Sequence, residues 1–472
     1  MKKILIILCR AAALLVLVVL FAVFVTGFSP IYRFAQPEAF KGPDIFNPYR
    51  NFVPLSESAP ESCPNPKAPA SESCPAPNAP TQTAMAAGAP APESSPNPNA
   101  PAPEYQSLWK RANFHTHTRV DGIFNECSHT PAETADSLKG FGYDIITFSN
   151  HNALTEIPAD VHPRVNVYEH GWNLLKFHKL VFGVTRVLPW DNLLPVLASQ
   201  RQFQLDLLAK ESDLLQLNHP SRTGMTLQST MQKLDGYDLI ELDSGKTTEQ
   251  LYWDWALSAG HYSFGLANDD LHYPDRSRRI AVRCNFLQID SCSYPAVRQC
   301  LQEGCFYSMR VPDYGRGDWK VKHERNLYLP YIKNIGLRGE EIFISLSSCA
   351  DSIRVTGQDG SRLAFGRECD SLSYCLREND SYARFTAWFP DGEVIYSNPF
   401  ARYDASASCC EDASVSCCED ASSSLPGTSR STPSHHISII LTILYNLLIL
   451  SICSLIVLAA CRCLGIRTKR RS

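Results

Sequence analysis

Apolar residues fall along this chain in three patterns, and each predicts a different kind of element. At both ends they run almost unbroken, from Ala11 to Phe28 and from Ile437 to Cys461. A helix needs roughly 17–25 apolar residues to cross a bilayer, so both runs predict a membrane span. For the first run a cleaved signal peptide is the alternative, but its apolar core would be only about 7–15 residues. Between residues 105 and 324, short strand-like runs alternate with helix-like stretches. The strand-like runs are Trp109–Phe114, Tyr143–Phe148, Val165–Tyr168, Lys179–Gly183, Leu214–Leu217 and Tyr262–Ala267. Thr130-Pro131-Ala132-Glu133 offers a helix cap, a first-turn proline and a glutamate three residues on. Asn192–Ser212 and Thr248–Ala259 carry helical spacing, and Gly260 follows the second as a stop signal. From 325 to 402 only short strands are predicted, including Glu341–Leu346, Tyr382–Trp388 and Glu393–Tyr396. Gln358-Asp359-Gly360 and Pro390-Asp391-Gly392 are turn signals between them.

Strands alternating with helices predict parallel βα units and an α/β fold. Segments 1–10 and 462–472 form the predicted cytoplasmic ends, and 29–53 is membrane-proximal. Segment 105–324 is the predicted barrel, and 325–402 a small β-rich domain packed on it. Two segments lack the apolar mass for a core. Residues 54–104 are rich in Pro and Ala and hold three near-copies of one unit, Glu61–Pro69, Glu72–Pro80 and Glu93–Pro101. They predict an extended, semi-rigid spacer. Residues 403–436 form a low-complexity linker in which Ser408-Cys409-Cys410-Glu411-Asp412-Ala413-Ser414 recurs at 416–422. Those paired cysteines could bind metal, form disulfides or accept lipid, and a duplicated linker is the plainest reading.

Charge sets the predicted orientation. Five basic residues follow the second run and Lys2 and Lys3 precede the first. By the positive-inside rule both termini are cytoplasmic and the large middle lies outside. The net charge of −4 and the lack of a basic stripe disfavour nucleic acid as a partner. Eighteen cysteines are compatible with disulfides outside the cytoplasm, and Cys369 with Cys375 is one conceivable pair.

The chemistry gathers where strand-like runs begin or end. His115 and His117 close the first run, and period-two alternation puts them on one side. His151 follows the second, Glu169 the third and His219 the Leu214–Leu217 run, whereas His178 opens its run. Asp270 and His272 follow Tyr262–Ala267, and Asp121 lies just beyond the histidine pair. One buried histidine is commonplace. Nine such groups buried without ions would leave unpaired polar groups costing about 1–3 kcal/mol each. Imidazole and carboxylate together suit Zn, Mn or Fe better than Ca or Mg.

The series His115-x-His117, Asp121-Gly122, Ser149-Asn150-His151-Asn152, Glu169, His178, Asn218-His219-Pro220 and Asp269-Asp270-x-His272 resembles the polymerase and histidinol phosphatase (PHP) superfamily over about 105 to 310. The resemblance implies a distorted (β/α)7 TIM-like barrel with two to three divalent metal ions. It implies that His115, His117, Glu169 and Asp270 hold one ion, Glu169, His178 and His219 a second, and Asp121, His151 and His272 a third. Val120-Asp121-Gly122 stands one residue earlier than the family's motif, so Glu126 or His129 could substitute. Asn150 stands where the family commonly has Asp.

The expected activity is phosphoester hydrolysis through a metal-bound hydroxide, since bound cations lower the pKa of water from about 15.7 to around 7. Asp270 and His272 would act through the metal, and Arg222 and Arg276 are candidate phosphate clamps. Expected partners are the bilayer and a phosphorylated small molecule or envelope component. Two other readings stay open: a non-catalytic metal-containing surface or envelope-assembly protein, and a hydrolase of a non-phosphate substrate.

Overall fold

The computed structural model describes residues 2–54, 109–120, 125–244, 249–406 and 435–464. Asp121, most of the predicted spacer, the paired-cysteine repeats and the basic end of the tail lie outside the described residues. The chain opens with α1 (Lys2–Val25), β1 (Tyr32–Phe34) and β2 (Asp44–Phe46). Next come β3 (Trp109–Asn113), α2 (Pro131–Lys139), β4 (Ile145–Ile146), β5 (Val167–His170), β6 (Lys179–Phe182), α3 (Ala198–Ala209) and β7 (Leu214–Leu217). Then follow α4 (Gln228–Met231), β8 (Leu239–Asp243), α5 (Gln250–Leu257), β9 (Phe264–Ala267), β10 (Arg283–Gln288), α6 (Tyr294–Glu303), β11 (Phe306–Arg310) and α7 (Trp319–Asn326). The last described stretch holds β12 (Ile332–Arg338), β13 (Glu341–Thr356), β14 (Arg362–Cys375), β15 (Tyr382–Trp388), β16 (Val394–Ser397), β17 (Phe400–Tyr403), β18 (His435–Ile437) and α8 (Ile439–Cys463).

Local signals act where the sequence puts them. Thr130 Oγ1 accepts from Glu133 N at 3.2 Å, and the Glu133 carboxylate accepts from Thr130 N at 2.7 Å, closing a capping box on α2. Beyond α5, Gly260 adopts φ +85°, and a Cβ there would meet the Glu38 carbonyl oxygen at 2.3 Å. Only glycine fits both the conformation and the approach.

The described strands form no closed barrel. Strands β5-β6-β7-β8-β9 make one sheet, antiparallel at β5/β6 and β6/β7 and parallel at β7/β8 and β8/β9. A second sheet runs β12-β13-β15-β16-β11-β10-β3-β4, parallel only at β3/β4. Two isolated parallel bridges join them, Thr116 to Leu271 and His151 to Glu169. The expected uniform βα alternation fails because only eight residues separate β5 from β6, too few for a parallel crossover, which needs about a dozen or more. Asparagines stitch the sheets further. Asn398 Oδ1 accepts from Gly265 N at 3.0 Å and Asn285 Oδ1 from Ala267 N at 2.9 Å.

The β-rich segment is not merely packed on the rest but extends this second sheet, because β16 pairs antiparallel with β11. It is also tied across the core: Arg384 on β15 donates Nε and Nη2 to the Asp254 carboxylate of α5 at 3.0 and 2.8 Å. Cys375 is a free thiol, so the pairing with Cys369 is not made. The 29–53 segment is built in as well, since Tyr49 is buried and its hydroxyl donates to Phe306 O at 3.1 Å.

Helices α1 and α8 are long and apolar enough to cross a membrane over Ile4–Val25 and Ile439–Cys463. Their inner ends meet at the α/β part. Ile31 N donates to Thr442 Oγ1 at 2.9 Å, Tyr445 Oη to Gly27 O at 3.0 Å, and β1 pairs antiparallel with β18. His435 on β18 lies 3.2 Å from Asp206 Oδ2 and 2.8 Å from Asp235 Oδ1. Burial alone would lower its pKa, but the two carboxylates outweigh it and push the imidazole up to about 9. A pKa raised on folding stabilises fully below the ordinary value near 6.5 and is lost as pH rises through about 9. The detergent-solubilised chain is therefore expected to lose thermal stability between those values relative to His435→Gln. Equal pH dependence of the two proteins would refute this.

Candidate metal centre

The bridge between Thr116 and Leu271 sets the first half of the centre. His117 N donates to Leu271 O at 2.8 Å and Leu271 N to His115 O at 3.2 Å, which brings the end of β3 beside Asp270. His115 Nε2 and His117 Nε2 stand 3.3 Å apart. Glu169 Oε2 is 3.2 Å from each, and Asp270 Oδ1 is 3.2 Å from His115 and 3.3 Å from His117. Donors about 2.0–2.2 Å from one ion stand about 2.8–3.1 Å apart as octahedral neighbours and about 3.3–3.6 Å apart in a tetrahedron. The observed spacings fall between these limits, so the four side chains are spaced to hold one metal ion.

The other oxygen of Glu169 faces a different group. Glu169 Oε1 is 3.1 Å from His178 Nδ1 and 3.2 Å from His219 Nε2, and it accepts from Asn218 Nδ2 at 2.9 Å. His151 stands at the second bridge. Its Nδ1 is 3.3 Å from Glu169 Oε2, buried and without a hydrogen-bond partner, while its Nε2 is 3.1 Å from Glu126 Oε2. That same Glu126 oxygen is 3.1 Å from His272 Nε2. Glu126 thus sits where Asp121 was expected, between His151 and His272. Eight of the nine predicted ligands converge here, and Asp121 lies outside the described residues.

Electrostatics follow from this crowding. Burial opposes the charge on Glu169 and Asp270, yet the imidazoles around them, with Arg222 beside Asp270, hold both well below the carboxylate range. Burial lowers His117 and takes His178 down to about 4, so both are neutral donors at pH 7. His115, His151 and His272 are pushed up despite burial by the carboxylates they face. A cation among ionised carboxylates would supply that positive charge in place of protons.

Two of the predicted ligands hold strained backbone. His219 has φ +25° and Asp270 φ +48°, a region non-glycine residues enter at a cost of roughly 1–3 kcal/mol. What holds His219 is a residue that the strand-end pattern passed over. Glu241 on β8 accepts from His219 N through Oε2 at 2.9 Å and from His115 Nδ1 through Oε1 at 2.9 Å. The second bond leaves the His115 Nε2 lone pair facing Glu169 and Asp270. One signal for it was readable: Leu239-Ile240-Glu241-Leu242-Asp243 is a strand-like run carrying an acid in its middle. Glu241→Ala is expected to weaken metal binding by about 10–100-fold, measured by competition with a chromogenic chelator. Unchanged affinity would remove Glu241 from the centre.

The cluster floors an open cleft of about 490 Å³, lined also by Lys176, Arg222 and Arg279. Arg222 Nη2 is 2.6 Å from Asp270 Oδ2. Arg276, expected as a clamp, instead lies over the Tyr273 ring at 4.1 Å and does not line the cleft. Three residues along the turn, Arg279 faces in where Arg276 faces out. Asp269 is a structural acid: it accepts from Ala281 N at 2.8 Å, Val282 N at 3.1 Å and Arg283 N at 2.8 Å. Asn150 accepts from Thr118 N at 2.7 Å and donates to Thr118 Oγ1 at 2.8 Å, so it braces the histidine strand rather than orienting an imidazole.

No family model and no curated protein matches the chain. Among solved structures it is similar to a two-domain protein containing a predicted PHP-like metal-dependent phosphoesterase from Bacteroides vulgatus, at 13% identity, over 62% of this chain and 96% of that one, with a TM-score of 0.32. It is also similar to a lesion-specific endonuclease from Pyrococcus furiosus, at 14% identity, over 41% of this chain and 56% of that one, with a TM-score of 0.29. Likenesses this distant assign no activity.

Proposed function

We propose that this chain is a membrane-anchored, metal-dependent phosphoesterase acting outside the cytoplasm. Its ligands would be His115, His117, His151, Glu169, His178, His219, Asp270 and His272, completed by Glu126 and loaded with two to three ions of Zn, Mn or Fe. The observation that carries this reading is the Glu169 carboxylate, whose two oxygens are turned to two different groups of imidazoles. Such a carboxylate is placed to be shared between neighbouring cations.

When bound, the cations would supply Lewis acidity and a water of lowered pKa. The chain's own groups do the rest. Lys176, Arg222 and Arg279 draw an anionic phosphoryl group into the cleft, where the planar fork of arginine suits two of its oxygens. Asp270 holds the Arg222 guanidinium at the cluster edge. Glu241 keeps the His115 Nε2 lone pair aimed at the cluster. In the reaction, the oxygen of water bonds to phosphorus, the ester P–O bond breaks, and the alcohol leaves with the proton. Helices α1 and α8 would span the bilayer, with both termini on the cytoplasmic face, as the basic residues beside them favour.

The test is metal removal. The purified full chain is expected to contain first-row divalent metal, to hydrolyse simple phosphoesters, to lose that activity to a chelator and to regain it with Mn or Zn. Hydrolysis that survives complete removal of metal would sink the proposal, as would a chain that binds none.

A further inference from the structure

Three loops of the α/β part meet around the end of α1, and their exposed faces are apolar. They are 171–176, which leads from β5 to β6, 189–197, which precedes α3, and 223–227, which follows β7. Leu174 N donates to Leu193 O at 2.8 Å and Gly224 N to Leu175 O at 2.7 Å. The buried Arg201 ties them together, donating to Pro195 O at 3.0 Å, Thr226 Oγ1 at 2.8 Å and Gly224 O at 2.6 Å. The same assembly grips the emerging span: Leu193 N donates to Thr26 Oγ1 at 2.9 Å and Gln200 Nε2 to Gly27 O at 3.2 Å. From these loops Trp172, Leu174, Val196, Leu197, Met225 and Leu227 project, each 38–64% exposed. Met225 does so from a left-handed backbone, φ +59°. Soluble surfaces rarely gather large apolar side chains in this way.

The position of the rim decides what covers it. Thr26 and Gly27 directly follow α1 and its apolar segment Ile4–Val25, so loops bonded to them lie at the bilayer surface. Trp, Leu and Met beside a span suit the lipid headgroup boundary. The loops also lead into the cleft. Lys176 and Arg222, within or next to the loops, line it, and His178 and His219 stand just beyond them.

We propose that this rim is seated in the membrane interface and that the cleft takes the phosphate ester of a membrane lipid, whose apolar tail stays in the bilayer beside Leu174 and Leu227. The inference rests on the membrane-anchored phosphoesterase reading. In the reaction the oxygen of water joins phosphorus, the P–O bond to the lipid alcohol breaks, and the lipid keeps that oxygen and gains the proton.

Two independent readouts test it on the full chain reconstituted into phosphatidylcholine vesicles. The first is quenching of tryptophan fluorescence by brominated phosphatidylcholine, compared between the native chain and Trp172→Phe. The Trp172 contribution is expected to be quenched, and this needs no catalysis. The second compares hydrolysis of phosphatidic acid in the vesicles with hydrolysis of soluble p-nitrophenyl phosphate. Leu174→Ser combined with Leu227→Ser is expected to slow the lipid reaction by at least about tenfold, and to leave the soluble one unchanged, as loss of two exposed leucines that would enter the bilayer predicts. Absence of Trp172 quenching would overturn the seated rim. A chain that hydrolyses the soluble ester but not phosphatidic acid, or loses both equally in the double variant, would overturn the lipid substrate. Hydrolysis of neither ester refutes the phosphoesterase reading and the lipid substrate with it, and the quenching readout still decides the rim.

Discussion

Glu169→Gln is expected to lower phosphoester hydrolysis by at least about 10³-fold and to strip bound metal from the chain. An outer partner of a ligand costs about 10–100-fold in affinity or activity, and a carboxylate shared between two groups of donors costs more. The argument is geometric. Glu169 Oε2 lies 3.2 Å from both His115 and His117, and Oε1 lies 3.1 Å from His178 and 3.2 Å from His219. Among the described residues no other carboxylate sets one oxygen against His115 and His117 and the other against His178 and His219. Glutamine keeps the shape, so packing survives, but it brings an amide N–H₂ that cannot ligate and removes the buried negative charge. Metal content by atomic emission and initial rates would be measured side by side, with circular dichroism to verify folding. Native-like metal content and rate in the variant would show that the cluster is not the catalytic centre.

Arg384→Ala is expected to cost about 3–5 kcal/mol of stability, because it leaves a buried carboxylate unpaired. Asp254 accepts from Arg384 Nε at 3.0 Å, from Nη2 at 2.8 Å and from Tyr382 Oη at 3.0 Å, and both charged side chains are under a tenth exposed. For a unit of this size that corresponds to an apparent Tm lower by about 6–20 °C. Arg384→Ala combined with Asp254→Ala should recover part of the loss, since no lone charge then remains. If the double variant were less stable than the sum of the two singles, the ion pair would not be the cause. Catalysis is a poor readout here, as neither Arg384 nor Asp254 lines the cleft.

The histidines and acids at strand ends were legible because their signal is local. His115 and His117 share a side through simple alternation, and Asn218-His219-Pro220 ends a run of leucines. What replaced or joined them was legible only in part: Glu126 was one of two candidate substitutes for Asp121 and Glu241 an acid inside a strand-like run, but which groups they meet depends on partners far away in the chain. Glu126 meets His272 across 146 positions, and Glu241 meets His115 across 126. Neither spacing leaves a trace in a window of ten residues. Arg276 and Arg279 could not be told apart either, since a turn rather than a helix or strand decides which one faces the cleft.

By itself the sequence determined the apolar ends, the capped start of α2, the βα character of the middle and the kinds of atom available for ligation. Each follows from periodicity or side-chain chemistry within a few residues. Only the tertiary structure decided that β5, β6 and β7 run antiparallel, that the β-rich segment continues the same sheet as β3, and that three separate loops gather around the end of α1. Those outcomes are set by which backbone donors find which acceptors across long stretches of chain. Burial rewards a particular pairing only once both partners are already in place.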